Sequence, residues 1–275
     1  MIYLLSEEGR RALRDVASTP ILYAFDFDGT LAPISPDRDA VTIPRSVYQW
    51  IKELSKRAPC AVVSGRALAD LAPRIDGMVP HLIGNHGIES SLASRDSLHA
   101  AEEMCAAWKR ALATRLADTL KSLGGEVEDK RYSLTVHYRA HAQESEVQLA
   151  LLTLLERLTP VPHLIAGKSS VNALPPGQGG KGPAVLALMR HLRQTGLFFI
   201  GDDKTDETVF ELTEDLAMSV RIGRQAESRA RFYLNDQPEI EMVIRLLVSG
   251  IDRTPECPDG DERETSQAAG TGHDC

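Results

Sequence analysis

Residues 21–31 read Ile21-Leu22-Tyr23-Ala24-Phe25-Asp26-Phe27-Asp28-Gly29-Thr30-Leu31, an apolar run that ends on two acids. A short apolar run with no polar alternation predicts a strand buried on both faces, the kind that parallel sheets contain. Ligands in such sheets bind beyond the carboxyl ends of the strands, so Asp26 and Asp28 are expected beside a site. The pattern recurs. Residues 60–63 (CAVV) stop at Ser64-Gly65, 81–84 (HLIG) run into Asn85-His86-Gly87, and 197–200 (LFFI) run into Gly201-Asp202-Asp203. Residues 44–57 between the first two have Pro44 at a first-turn position and Val47, Trp50, Ile51 and Leu54 on one stripe, which predicts a helix. Strand and helix signals in alternation predict an α/β fold, a Rossmann-like core around a parallel sheet.

The middle of the chain reads differently. Residues 97–123 carry one long helical pattern ending at Gly124-Gly125, and 126–138 alternate as a strand or hairpin with one wet face. A second amphipathic helix is expected over 144–158, with Val147, Leu151, Leu154, Leu155 and Leu158 inward, then strand material over 163–174. The expected organisation is a core from 1–99 and 176–251, an inserted α+β cap domain at 100–175, and a tail at 252–275. That tail is polar and poor in large apolar residues, which predicts disorder.

Composition narrows the function. The 275 residues carry 31 Lys and Arg against 39 Asp and Glu, a formal net charge of −8. Nucleic-acid binders rely on a basic face, so no nucleic-acid partner is expected. No apolar run approaches the roughly 18 residues of a membrane span, and MIYLLSEEGRR does not read as a signal peptide. Cys60, Cys105, Cys257 and Cys275 form no CxxC pair and read as free thiols, so a cytoplasmic location is expected.

The acids carry the chemistry. Asp26 and Asp28 end one strand, and Gly201-Asp202-Asp203-Lys204-Thr205-Asp206-Glu207 follows another about 175 residues later. Carboxylates gathered at one sheet end repel each other, which implies a divalent metal between them. Either cluster alone reads equally well as a helix cap or turn, and Ser64-Gly65 as a strand-to-helix turn. Together with Ser64 and Lys181 they resemble the motifs of the haloacid dehalogenase-like phosphatases. The resemblance implies a nucleophile at Asp26, a general acid and base at Asp28, and phosphoryl contacts from Ser64 and Lys181. It also implies Mg²⁺ on Asp26, the Asp28 carbonyl and Asp202, with Asp203 and Asp206 completing or orienting the shell.

Within that group, DFDGTLAPI (26–34), VVSGR (62–66), GNHGIE (84–89), KRYSLTVHYR (130–139) and GDDKTDE (201–207) are similar to the trehalose-6-phosphate phosphatases. That similarity implies a sugar-phosphate substrate and a functional link to a trehalose-6-phosphate synthase. Gly65 and Arg66 are expected beside the phosphate, with Asn85 and His86 either as a wall or only shaping the turn, and Glu89 as an acceptor for a sugar hydroxyl. From the cap, Lys130, His137, Arg139 and Lys168 are expected to face the site. His137 in an alternating strand reads equally as a packing residue. One departure is Asn172, which stands three residues before Pro175 where the group carries Glu. An amide lacks a carboxylate's charge-assisted acceptance, which keeps other sugar phosphates open: sucrose 6-phosphate, glucosylglycerol phosphate or mannosyl-3-phosphoglycerate. From another class, an inactive sugar-phosphate sensor or synthase partner is the rival, disfavoured because each catalytic position is filled.

Overall fold

The computed structural model describes residues 1–35, 37–138, 144–167, 169–212 and 216–253. The chain begins β1 (Ile2–Tyr3), α1 (Glu7–Ala17), β2 (Leu22–Asp26), α2 (Arg45–Ser55), β3 (Cys60–Val63), α3 (Leu68–Ile75) and β4 (His81–Ile83). An intervening segment comprises α4 (Arg95–Ala113), α5 (Ala117–Ser122), β5 (Gly125–Asp129), β6 (Leu134–Tyr138), α6 (Glu144–Leu155), β7 (His163–Gly167) and β8 (Ser170–Leu174). The chain then returns through α7 (Lys181–His191), β9 (Leu197–Gly201), α8 (Glu207–Phe210), β10 (Ala217–Ile222), β11 (Phe232–Leu234) and α9 (Ile240–Ile251).

Among the described residues, seven strands form one parallel sheet in the order β1-β11-β10-β9-β2-β3-β4. All five residues of β2 and of β9 are buried, which is why both read as unbroken apolar runs. One face packs under α1, α2, α3 and α9 through Leu13, Ile51, Leu71 and Ile244. The opposite face packs under α7 and α8 through Val185, Leu188, Val209 and Phe210.

The intervening segment builds a separate antiparallel sheet, ordered β5-β6-β8-β7, with its own core. Leu134 and Val136 of β6, with Val171 and Ala173 of β8, pack against Trp108, Leu112 and Leu151 of the cap helices. Strand alternation turns Thr135, His137, Ser170 and Asn172 the other way, toward the core domain. The long helix expected over 97–123 is two helices, broken where Thr114 takes φ −119° and ψ −92°. A boundary at 99/100 would fall inside α4, which starts at Arg95 after the Ser94 cap. The tail expected at 252–275 lies outside the described residues from 254 onward. No described helix is long and apolar enough to cross a membrane.

Candidate active site

β2 and β9 are hydrogen-bonded neighbours, so their carboxyl ends deliver both acidic clusters to one place. Asp26, the last residue of β2, is 4% exposed. Lys181 opens α7, and its Nζ donates to Asp26 Oδ1 at 2.6 Å and to Asp206 Oδ1 at 2.7 Å. Burial works against the Lys181 charge, but Asp206 and Asp26 outweigh it and hold the group as an ammonium. For Asp26, burial first and then Asp206 and Asp202 push the pKa well above the usual carboxylate range, against the pull of Lys181.

Oxygens of Asp26, Asp202 and Asp206 lie within 4.8 Å of one another. Three carboxylates converge here with the Lys181 ammonium hydrogen-bonded to two of them, and hard oxygen donors of this kind suit a divalent cation. Gly29 makes room for this group. At φ +83° it lies so close to Asp202 that a Cβ would come 2.3 Å from Asp202 Oδ2. The Asp28 carboxylate is held by Arg66, whose Nε and a terminal nitrogen each donate to one oxygen at 2.7 Å, which leaves to the Asp28 backbone carbonyl the metal contact expected of this residue. Asp203 caps the 3-10 turn Lys204–Asp206, accepting from the Lys204 N–H, while its own N–H donates to Asp206 Oδ2 at 2.9 Å. Its carboxylate is therefore outside the triad, and its backbone fixes the orientation of Asp206.

Ser64 follows β3, is 1% exposed, and its Oγ accepts from the Arg66 N–H at 3.1 Å. With Asp26, Asp28, Lys181, Gly65 and Arg66 it lines a cleft of about 770 Å³, a volume suited to a small organic ligand. The trehalose-phosphatase family model matches residues 24–238, and the matched stretch carries every one of these groups.

The chain belongs to the trehalose-phosphatase family.

A trehalose-phosphate phosphatase of Mycobacterium tuberculosis (strain H37Rv) is 33% identical over 208 residues, 72% of this chain and 52% of its own. The chain thus spans about half the length of the mycobacterial relatives it matches. The trehalose-6-phosphate phosphatase of Escherichia coli K12 is 30% identical over 259 residues, 90% of this chain and 94% of that protein. The C-terminal domain of Candida albicans trehalose-6-phosphate phosphatase has a TM-score of 0.73 at 21% identity, covering 87% of this chain and 97% of that one. That structural likeness establishes the shared haloacid dehalogenase-like fold.

In this trehalose-phosphatase family member the cap forms the second wall of the cleft. Lys130 precedes β6, is 7% exposed, and reaches across to donate to the Gly65 carbonyl at 3.0 Å. Burial lowers its pKa to about 8. His137 faces the cleft rather than the cap core, with Nε2 2.6 Å from Glu128 Oε2 and 2.6 Å from an Arg38 nitrogen. Burial works against the Glu128 charge, but His137, Lys130 and Arg38 lower its pKa to about 2. Asn172 lines the cleft, and its Oδ1 accepts from Thr135 Oγ1 at 2.7 Å.

His86 lines the cleft with both ring nitrogens buried and making no close hydrogen bond among the described residues, packed against Gly65 where a Cβ would come 2.4 Å from Cε1. Burial, with Lys130 and Lys181 nearby, holds its pKa well below the usual imidazole value and keeps it neutral. Asn85 and Glu89 are not among the residues that line the cleft. Asn85 is fully buried beneath the cap hairpin, its Nδ2 donating to the Lys130 carbonyl at 3.1 Å and its Oδ1 accepting from Ser133 Oγ at 2.6 Å. Glu89 turns away from the cleft and accepts from the Leu68 N–H at 2.9 Å, which supplies α3 with the side-chain cap that Ala67 cannot give. Arg139 and Lys168 lie outside the described residues.

Sequence reading missed Arg38, Glu128 and Asp70. Arg38 sits in an irregular loop with no periodic signal, and Glu128 in a strand read only for its alternation. Asp70 had a usable signal: it follows Arg66 by four residues at the start of a helix, a spacing that pairs opposite charges.

Proposed function

We propose that this chain is a Mg²⁺-dependent phosphomonoesterase that hydrolyses trehalose 6-phosphate to trehalose and phosphate. The observation that carries the reading is the meeting of Asp26, Asp28, Ser64 and Lys181 with the acidic triad in one cleft roofed by polar cap residues. In this reading an Asp26 oxygen attacks phosphorus, the bond from phosphorus to the sugar oxygen breaks, and Asp28 passes a proton to that oxygen. Asp28 then takes a proton from water as the water oxygen attacks the aspartyl-phosphate, releasing phosphate and restoring Asp26. Lys181 orients Asp26 through its hydrogen bond and offsets charge on the transferring group, and the Ser64 hydroxyl donates to a phosphoryl oxygen. Mg²⁺ bound by Asp26, the Asp28 carbonyl and Asp202, oriented by Asp206, would supply further offset of the phosphoryl charge. The cap selects the sugar: Lys130, His137 and Asn172 line the cleft and offer donors and acceptors for sugar hydroxyls. A trehalose-6-phosphate synthase would be its functional partner, since it makes this substrate.

Asn172 favours a second reading, in which the cap accepts another glycosyl phosphate. The test is phosphate release with Mg²⁺ from trehalose 6-phosphate, sucrose 6-phosphate, glucosylglycerol phosphate and mannosyl-3-phosphoglycerate, with Asp26→Asn alongside. The expected outcome is that trehalose 6-phosphate leads and that Asp26→Asn and EDTA each abolish release. A different leading substrate would move the assignment within the enzyme class, and no turnover of any would support the sensor reading.

A further inference from the structure

We infer that Asp70 is a positioning residue for Asp28, acting through Arg66. The inference rests on the reading of Asp28 as proton donor given above. The Arg66 side chain is 5% exposed and lies 5.4 Å from the centre of the Phe27 ring. Its fork grips both Asp28 oxygens, and its remaining terminal nitrogen donates to Asp70 Oδ2 at 2.7 Å. The other Asp70 oxygen accepts from Arg74 Nε at 2.9 Å, and Arg74 is itself fastened to the Asp39 and Val41 carbonyls at 3.0 and 2.8 Å. Asp28, Arg66, Asp70 and Arg74 thus form a chain of alternating charge, the last three spaced by four residues along one side of α3 and its entry.

While both Asp28 oxygens lie in the fork, each already accepts a guanidinium N–H, which holds the carboxyl toward Arg66 rather than toward a leaving sugar oxygen. Asp28 must turn out of the fork to deliver its proton, and that movement would strip a buried guanidinium of its partner. An unpaired buried charge is costly. Asp70 removes that obstacle, because Arg66 keeps one carboxylate whichever way Asp28 points. The anchoring of Asp70 by Arg74 keeps the second carboxylate from following. Without the Asp70 charge, Arg66 would hold Asp28 in the fork and proton delivery would slow.

The dependence on leaving group tests this. A sugar alkoxide needs a proton as it departs, whereas p-nitrophenolate leaves without one. The rate of enzyme phosphorylation would be measured in single turnovers with p-nitrophenyl phosphate and with the sugar phosphate that leads the panel. Asp70→Asn, nearly isosteric, is expected to slow the sugar phosphate about tenfold, part of the roughly 10²–10⁴ that general acid catalysis supplies. The rate with p-nitrophenyl phosphate is expected to stay within about twofold, as is KM for the sugar phosphate. Arg74→Gln, which loosens Asp70 from its far end, should show the same selectivity more weakly, and it stands in if Asp70→Asn does not fold. Asp28→Asn separates the two layers. If it slows both substrates alike, the proton-donor reading itself fails. If it is selective while Asp70→Asn slows both alike or neither, the positioning role alone is overturned.

Discussion

Lys130 is an ammonium placed almost out of reach of water, with the Gly65 carbonyl as its hydrogen-bond partner and Glu128, Arg38, Asp28 and Arg66 as charged neighbours. Burial lowers its pKa from 10.5 to about 8, so between those values the folded chain binds fewer protons than the unfolded one. Stability contributed by this group therefore rises with pH from about 8 to 10.5, and below 8 its burial costs on the order of 3 kcal/mol. Lys130→Met should raise the melting temperature at pH 7 and remove that alkaline rise, as read from melting curves of both proteins between pH 7 and 10. At this scale, Asp26 and Asp202 were legible as carboxylates at strand ends that the sequence marks, whereas Ser64 and Lys181 stood out only as members of the whole motif set. Glu89 was legible as a carboxylate at a strand end but not by its direction. The bare N–H at the start of α3 claimed it, and nothing in residues 84–89 announces that demand.

Lys181 reaches the triad because α7 starts within contact of the 205–208 turn. Gly182 makes the approach feasible: a Cβ there would lie 2.2 Å from the Thr208 carbonyl oxygen, which is backbone and cannot move aside cheaply. Gly182→Ala should destabilise the fold by about 1–3 kcal/mol through overpacking. It should also lower kcat by moving Lys181, with denaturant unfolding and steady-state kinetics as the two measurements. Four core strands, β2, β3, β4 and β9, were read to within a residue or two because each is a short apolar run bounded by turn residues, whereas β1, β10 and β11 were not read. The α4–α5 break was not read. Trp108, Leu112, Leu116 and Leu120 keep a four-residue spacing straight through it, and no Gly or Pro marks it. The break shows only in the fold, where Thr114 Oγ1 bonds back to the Arg110 carbonyl at 2.8 Å and the backbone leaves the helical region.

Core and cap are joined across the cleft by a contact no motif contains. One Arg38 nitrogen from the core loop lies 2.7 Å from Glu128 Oε2 and 2.6 Å from His137 Nε2. Arg38→Ala should loosen the cap over the bound sugar, raising KM several-fold while kcat changes by less than about twofold. Steady-state kinetics with the leading sugar phosphate would show the split, and equal falls in kcat would place Arg38 in the chemistry instead. The pairing of distant acidic clusters was legible at this scale because parallel sheets gather ligands at one end. The Arg38 contact was not, because it depends on where an irregular loop lies against a separately folded sheet.

Sheet order has a consequence for how the molecule is made. The central strand β2 has β3 on one side, from nearby in the chain, and β9 on the other, from beyond the whole cap. Asp26 and Lys181 are 155 residues apart. At roughly 5–20 residues per second, a ribosome needs about eight to thirty seconds to cover that interval. Throughout it, β2 shows an unpaired apolar edge, and Asp26 lacks the ammonium it will face. The cap, whose strands pair within one contiguous stretch, has all its partners before the core does. The reaction centre can form only after the whole cap has been made.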